Sequence, residues 1–172
     1  MSRKTRLFAI VLATLVSGPL NVLAHEEMHM QPAGVGMAMP AEGIVVDVAW
    51  SPETPPGAMS AAIYLKLNNM SGMEKAIVGA ASPDFAMAHI HRTSVVDGVA
   101  SMEMIEHLAV PAGKAVEFTP GGLHIMLMSP SKRAVAGETI PVTLYFDDGT
   151  SLDFEAVVMK RSEGMAAGKM NM

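Results

Sequence analysis

The sequence predicts an all-β domain, an antiparallel sandwich or barrel with Greek-key connections, and three observations carry that prediction. From Gly43 to Met159 the chain breaks into nine short runs of β-type residues. Clusters of Gly, Pro and Asp separate the runs, as turns require. No stretch beyond residue 24 offers the long, capped pattern of 3.6-residue period that marks a helix. Many short strands at this spacing fold into a sandwich or barrel rather than a parallel sheet flanked by helices.

Each run has a local reason. Ile44 to Trp50 is closed by Ser51-Pro52 through Pro55-Pro56-Gly57, and Ala61 to Asn68 and Lys75 to Ala80 follow. Met87 to Val96 and Val99 to Val110 flank Asp97-Gly98, a dipeptide that favours a two-residue type I′ turn, so the pair reads as a hairpin. Pro111-Ala112-Gly113 precedes Ala115 to Phe118, and Pro120-Gly121-Gly122 precedes His124 to Met128. Thr139 to Phe146 and Ser151 to Met159 meet at Asp147-Asp148-Gly149, a turn whose acidic residues read as solvated.

A chain of 172 residues, half of them apolar, suffices for one core. Residues 1 to 24 read as a cleavable secretory signal. Arg3, Lys4 and Arg6 precede an apolar run from Leu7 to Val16, and Val22-Leu23-Ala24 offers the cleavage site. That run is about half the roughly 20 residues needed to span a bilayer. Residues 25–42, with His25, Met28, His29 and Met30, read as a flexible arm. The β-domain then takes residues 43–160, and residues 161–172 read as an unpatterned, flexible tail bearing Met165, Met170 and Met172. Loss of the signal's three cations moves the formal charge from −5 to −8, which argues against nucleic acid as a partner. The absence of cysteine excludes thiol nucleophiles, zinc ribbons, iron–sulfur clusters and the cysteine-ligated blue copper site. No acid–base or nucleophilic motif stands out.

Methionine, with 17 copies, is in excess and requires an explanation. Side chains alternate faces along a strand, so in His124-Ile125-Met126-Leu127-Met128 an imidazole and two thioethers share one face. In the hairpin, pairing Val96 with Val99 puts Met104 opposite His91 and Met102 opposite Thr93. Met102 then lies diagonal to His91, within reach of two long side chains converging on one ion. The same register gives Met87, His89, His91, Met102 and Met104 one face and leaves His107 on the other. Imidazole and thioether donors without carboxylates select Cu(I).

The spacing His91, ten residues, Met102, twenty-one residues, His124-x-Met126 resembles the signature of the periplasmic copper chaperones of PCuAC type. The flanks look like that family as well. They include Val48-Ala49-Trp50, Ala62-Ile63-Tyr64-Leu65 with Asn68, Ile90-His91 with Asp97-Gly98, Ile105 through Gly113, and Pro120 through Met128, within about 43–158. The resemblance implies a cupredoxin-like β-sandwich in the periplasm that is not an enzyme. It implies a Cu(I) site of His91, Met102, His124 and Met126, and delivery to the copper centre of cytochrome c oxidase subunit II or another exported copper carrier. No nucleic acid and no small-molecule substrate is implied. His89, Met87, Met104 and Met128 are additional donors beside that set.

The arms allow three other readings. After cleavage His25 carries a free α-amine, and with His29 it suits a second ion, Cu(II), which prefers nitrogen. His25 could instead anchor a histidine-brace copper enzyme, and the Met-rich ends could store or detoxify copper.

Overall fold

The computed structural model describes residues 39–170, and among them eleven strands and one helix. The strands are β1 (Met39–Pro40), β2 (Ile44–Pro52), β3 (Ser60–Asn69), β4 (Lys75–Ala81), β5 (Phe85–Val96), β6 (Val99–Met104), β7 (Leu108–Val110), β8 (Ala115–Phe118), β9 (Leu123–Pro130), β10 (Thr139–Phe146) and β11 (Thr150–Met159), followed by α1 (Arg161–Met170). The fold is a cupredoxin-like β-sandwich, as the strand pattern and the resemblance predict. Ladders run continuously through β6-β5-β9-β3-β2-β11-β10-β4-β7, with β8 on β3 and β1 on β11. Strand β3 belongs to both layers: Ser60 to Ile63 pair with β9, and Leu65 to Asn68 pair with β8.

The core fills the space between the layers because each strand turns alternate residues inward. In β3 every second residue from Ala61 to Asn69 is buried. Ile63, Leu65 and Leu67 meet Ile90 of β5, Ile125 and Leu127 of β9, and Val142 and Leu144 of β10 in one apolar cluster. Full burial of such side chains contributes roughly 1.5–3 kcal/mol each. Asn69 is a polar residue buried at the end of β3. Its Nδ2 donates to the carbonyls of Met73 and Val110, each at 2.8 Å. Its Oδ1 accepts from Ser71 N–H and Ser71 Oγ–H.

The run expected from Val99 to Val110 is two strands. At Ile105–His107 the chain leaves β5, as β6 pairs with β5 whereas β7 pairs with β4 across the sandwich. His107 lies exposed in that corner rather than on a strand face. Both arm boundaries also shift. Met39–Pro40 pair in parallel with β11, and Ala41 is buried with its N–H on Ser151 O, so ordered structure starts before Gly43. Within the stretch read as an unpatterned tail, Arg161–Met170 form α1. Its first turn is capped by the Glu163 carboxylate, which accepts the Lys160 N–H at 3.2 Å. Gly164 rests against the Trp50 indole, where a Cβ would overlap the ring. The secretory signal, His25 and His29 lie outside the described residues.

Candidate metal centre

The β5–β6 hairpin has the expected register. Val96 pairs with Val99, Thr93 with Met102 and His91 with Met104. Asp97 and Gly98 have φ of 52° and 77°, the two positive values a type I′ turn demands. Beyond the sandwich every residue of β6 is exposed, so the hairpin projects as a two-stranded ribbon.

Strand β9 joins this hairpin on the other side of β5. His91 pairs with His124, His89 with Met126 and Met87 with Met128. One sheet face therefore carries, in successive rungs, Met102 beside Thr93, Met104 with His91 and His124, His89 with Met126, and Met87 with Met128. The opposite face carries Ile90, Ile125 and Leu127, which are buried. Methionine is thus not filling the core here. Met102 and Met104 are 54% and 48% exposed, and Met87 is 48% exposed.

The two imidazoles form the middle of the site. The rings of His91 and His124 have centroids 5.8 Å apart, and the His89 ring lies 6.3 Å from that of His91. His124 is buried at 6% exposure, and its Nδ1 sits 3.2 Å from Gly122 O. A carbonyl can only accept, so Nδ1 carries the proton and Nε2 keeps a free lone pair. Gly122 O also accepts the Thr93 N–H at 3.0 Å, which ties the loop before β9 to β5 and orients the ring. His91 Nδ1 is buried and has no hydrogen-bond partner. Partial burial lowers the His91 pKa, and the neighbouring His124 and His89 lower it further, which favours the neutral form that binds metals.

All four expected ligands lie on this face, at different distances from its centre. His91 and His124 are directly paired, and Met126 is two residues along β9 from His124. Met102 lies one rung away on β6, while Met104 occupies the position directly opposite His91. Among the described residues no three His, Cys, Asp or Glu side chains are placed to share an ion. The donors that share this face are imidazoles and thioethers, a soft set. Sequence reasoning missed the aromatic backing of the site. Tyr64 stands 6.5 Å from the His124 ring and 4.9 Å from the Trp50 ring, centroid to centroid. Burial raises the Tyr64 pKa, and Arg161 at the start of α1 opposes the shift. The pairing of β2 with β3 sets Trp50 beside Tyr64 and that of β3 with β9 brings Tyr64 toward His124, and no local signal in the sequence announces either.

A cupredoxin-like sandwich with a Met/His face is the class that these features define. The chain belongs to the LpqE-like family, described as putative lipoprotein LpqE-like, whose model matches residues 44–158. A relative in Leifsonia xyli subsp. xyli, the putative lipoprotein Lxx21020, is 33% identical over 152 residues, covering 88% of this chain and 89% of its own. Among solved structures, CuI-DR1885 from Deinococcus radiodurans is 31% identical with a TM-score of 0.55, covering 73% of this chain and 83% of that one. The copper-bound PCuAC domain from PmoF2 has a TM-score of 0.58 at 22% identity, a likeness of fold, over 69% of this chain and 93% of that domain.

Proposed function

We propose that this protein is an exported copper carrier of the PCuAC kind. It binds Cu(I) through His91, Met102, His124 and Met126 and passes the ion to an acceptor by ligand exchange, without chemical turnover. The observation that carries this reading is the direct pairing of His91 with His124 on a thioether-bearing face, with one buried ring nitrogen of His91 unpartnered. Likeness to CuI-DR1885 at 31% identity supports copper as the cargo.

The chemistry of the donors explains carriage better than catalysis. Four neutral ligands leave the bound ion with its single positive charge, and thioether sulfur favours the reduced state. Met102, the most exposed of the four, is the donor an incoming ligand displaces first. A thiolate on the acceptor then outcompetes the remaining weak donors, so the ion moves toward a Cys-containing centre. We assign that acceptor as the copper centre of cytochrome c oxidase subunit II or another exported copper carrier. The name of the family and of the Leifsonia relative fits a protein working outside the cytoplasm.

Cu(I) competition titration with X-ray absorption, on wild type and on Met102→Leu, Met126→Leu and His124→Ala, tests the site. The expected result is one tight ion with mixed nitrogen and sulfur scattering, weakened at least about 100-fold by loss of a direct donor, since even a supporting residue is worth 10- to 100-fold. Tight binding that survives all three substitutions overturns the assignment. Mixing the Cu(I)-loaded protein with an apo subunit II copper domain tests delivery, and copper that stays on the carrier at equilibrium argues against it.

A further inference from the structure

The site above draws on three rungs of the Met/His face and leaves a fourth unexplained. Met87 of β5 and Met128 of β9 are direct cross-strand partners, and the Met87 side chain is 48% exposed. Directly paired residues have Cβ atoms about 4.5–5.5 Å apart, so two thioethers there can reach a common point above the sheet. His89 lies one rung up on the same face, paired with Met126, and its ring is 6.3 Å from that of His91. Packing does not account for these residues, as Ala88, Ile90 and Leu127 supply the inward face. Strand propensity does not account for them either, since exposed strand positions favour β-branched and aromatic residues over unbranched methionine.

We infer that Met87, His89 and Met128 form a second Cu(I) subsite, its Met87–Met128 pair two rungs along the sheet from His91–His124. The inference rests on the copper-carrier reading. Two thioethers and one imidazole make a neutral three-donor set for Cu(I), with one imidazole fewer than the first site and therefore weaker. Same-face rungs repeat about every 6.6–6.8 Å along a strand, so His89 and Met126 lie between the two positions as shared neighbours. An ion on the second rung can advance to the first by exchanging one donor at a time. The face then works as an entry track: the weaker rung collects Cu(I), and the stronger one holds it for delivery.

The test is methyl NMR on the full chain with 13C-labelled methionine, titrated anaerobically with Cu(I) supplied as its acetonitrile complex. Met→Leu variants at positions 87, 102, 126 and 128 assign the signals. The first equivalent is expected to shift Met102 and Met126, and the second to shift Met87 and Met128. The Met87→Leu/Met128→Leu double variant is expected to keep the first ion and lose the second set of shifts, and His89→Asn to weaken the second ion alone by about tenfold or more. A second equivalent that leaves the Met87 and Met128 methyls unmoved, with the first still on Met102 and Met126, overturns the second subsite while the carrier reading stands. A first equivalent that moves neither Met102 nor Met126 overturns both.

Discussion

At the scale of single residues, the outward orientation of the donors separates copper binding from folding. Met126, Met102 and Met87 touch solvent on the sheet face opposite the core, so exchanging the thioether for leucine's branched hydrocarbon removes a ligand without opening a cavity. Met126→Leu is therefore expected to change unfolding free energy by no more than about 0.5 kcal/mol in urea while it weakens Cu(I) binding. Asn69 is the reverse case. All four of its hydrogen-bonding positions are used, and the bond to Val110 O is fully buried. Asn69→Leu strands the buried carbonyl of Val110 and is expected to cost about 1–3 kcal/mol in the same urea titration, with the copper donors untouched.

At the scale of elements, α1 depends on one atom being absent. Glycine in a helix interior costs about 1 kcal/mol relative to alanine, so propensity alone makes Gly164→Ala stabilising. The Trp50 ring occupies the space a Cβ would need, and this decides the sign. The variant is expected to lift α1 off β2, lowering the melting temperature and shifting Trp50 emission to the red. The sequence hid this helix for the same reason, because a segment with glycines at 164 and 168 lacks helical periodicity and is held by a cap and a tertiary contact. The hairpin was legible because Asp97-Gly98 determines the turn, the turn determines the register, and the register determines which side chains share a face. That logic extends to His124 and Met126 on β9, but only alternation within each strand can be read locally. The pairing of His91 with His124 joins strands separated by the whole β6–β8 excursion, and the split at Ile105–His107 depends on which layer the chain packs into next. Neither leaves a local trace.

At the scale of the whole molecule, one ion pair clasps β4 to the turn between β10 and β11. The Lys75 ammonium, its side chain only 8% exposed, lies 2.6 Å from the Asp148 carboxylate and 5.8 Å from the Phe146 ring centre. The hydrogen bond from Lys75, aided by the hydroxyl and N–H of Thr150, lowers the Asp148 pKa from 3.8 to about 2. A depressed carboxyl stabilises the fold fully above its unfolded pKa and loses that contribution as pH falls toward the folded value. Acid unfolding is thus expected to steepen between pH 4 and 2, a window set by those two values. Asp148→Asn should flatten that slope and cost about 1 kcal/mol at neutral pH, a modest figure because the carboxylate faces water. The fold also contains its own optical gauge of occupancy. The single tryptophan of the chain packs at a tilt against Tyr64, whose ring in turn lies 6.5 Å from the His124 imidazole. An ion arriving at His124 thus changes the surroundings of a lone fluorophore two rings away, and emission should fall in proportion to filling. In His124→Ala the same titration should leave the signal flat, so cargo uptake and release can be followed in real time on the unlabelled protein.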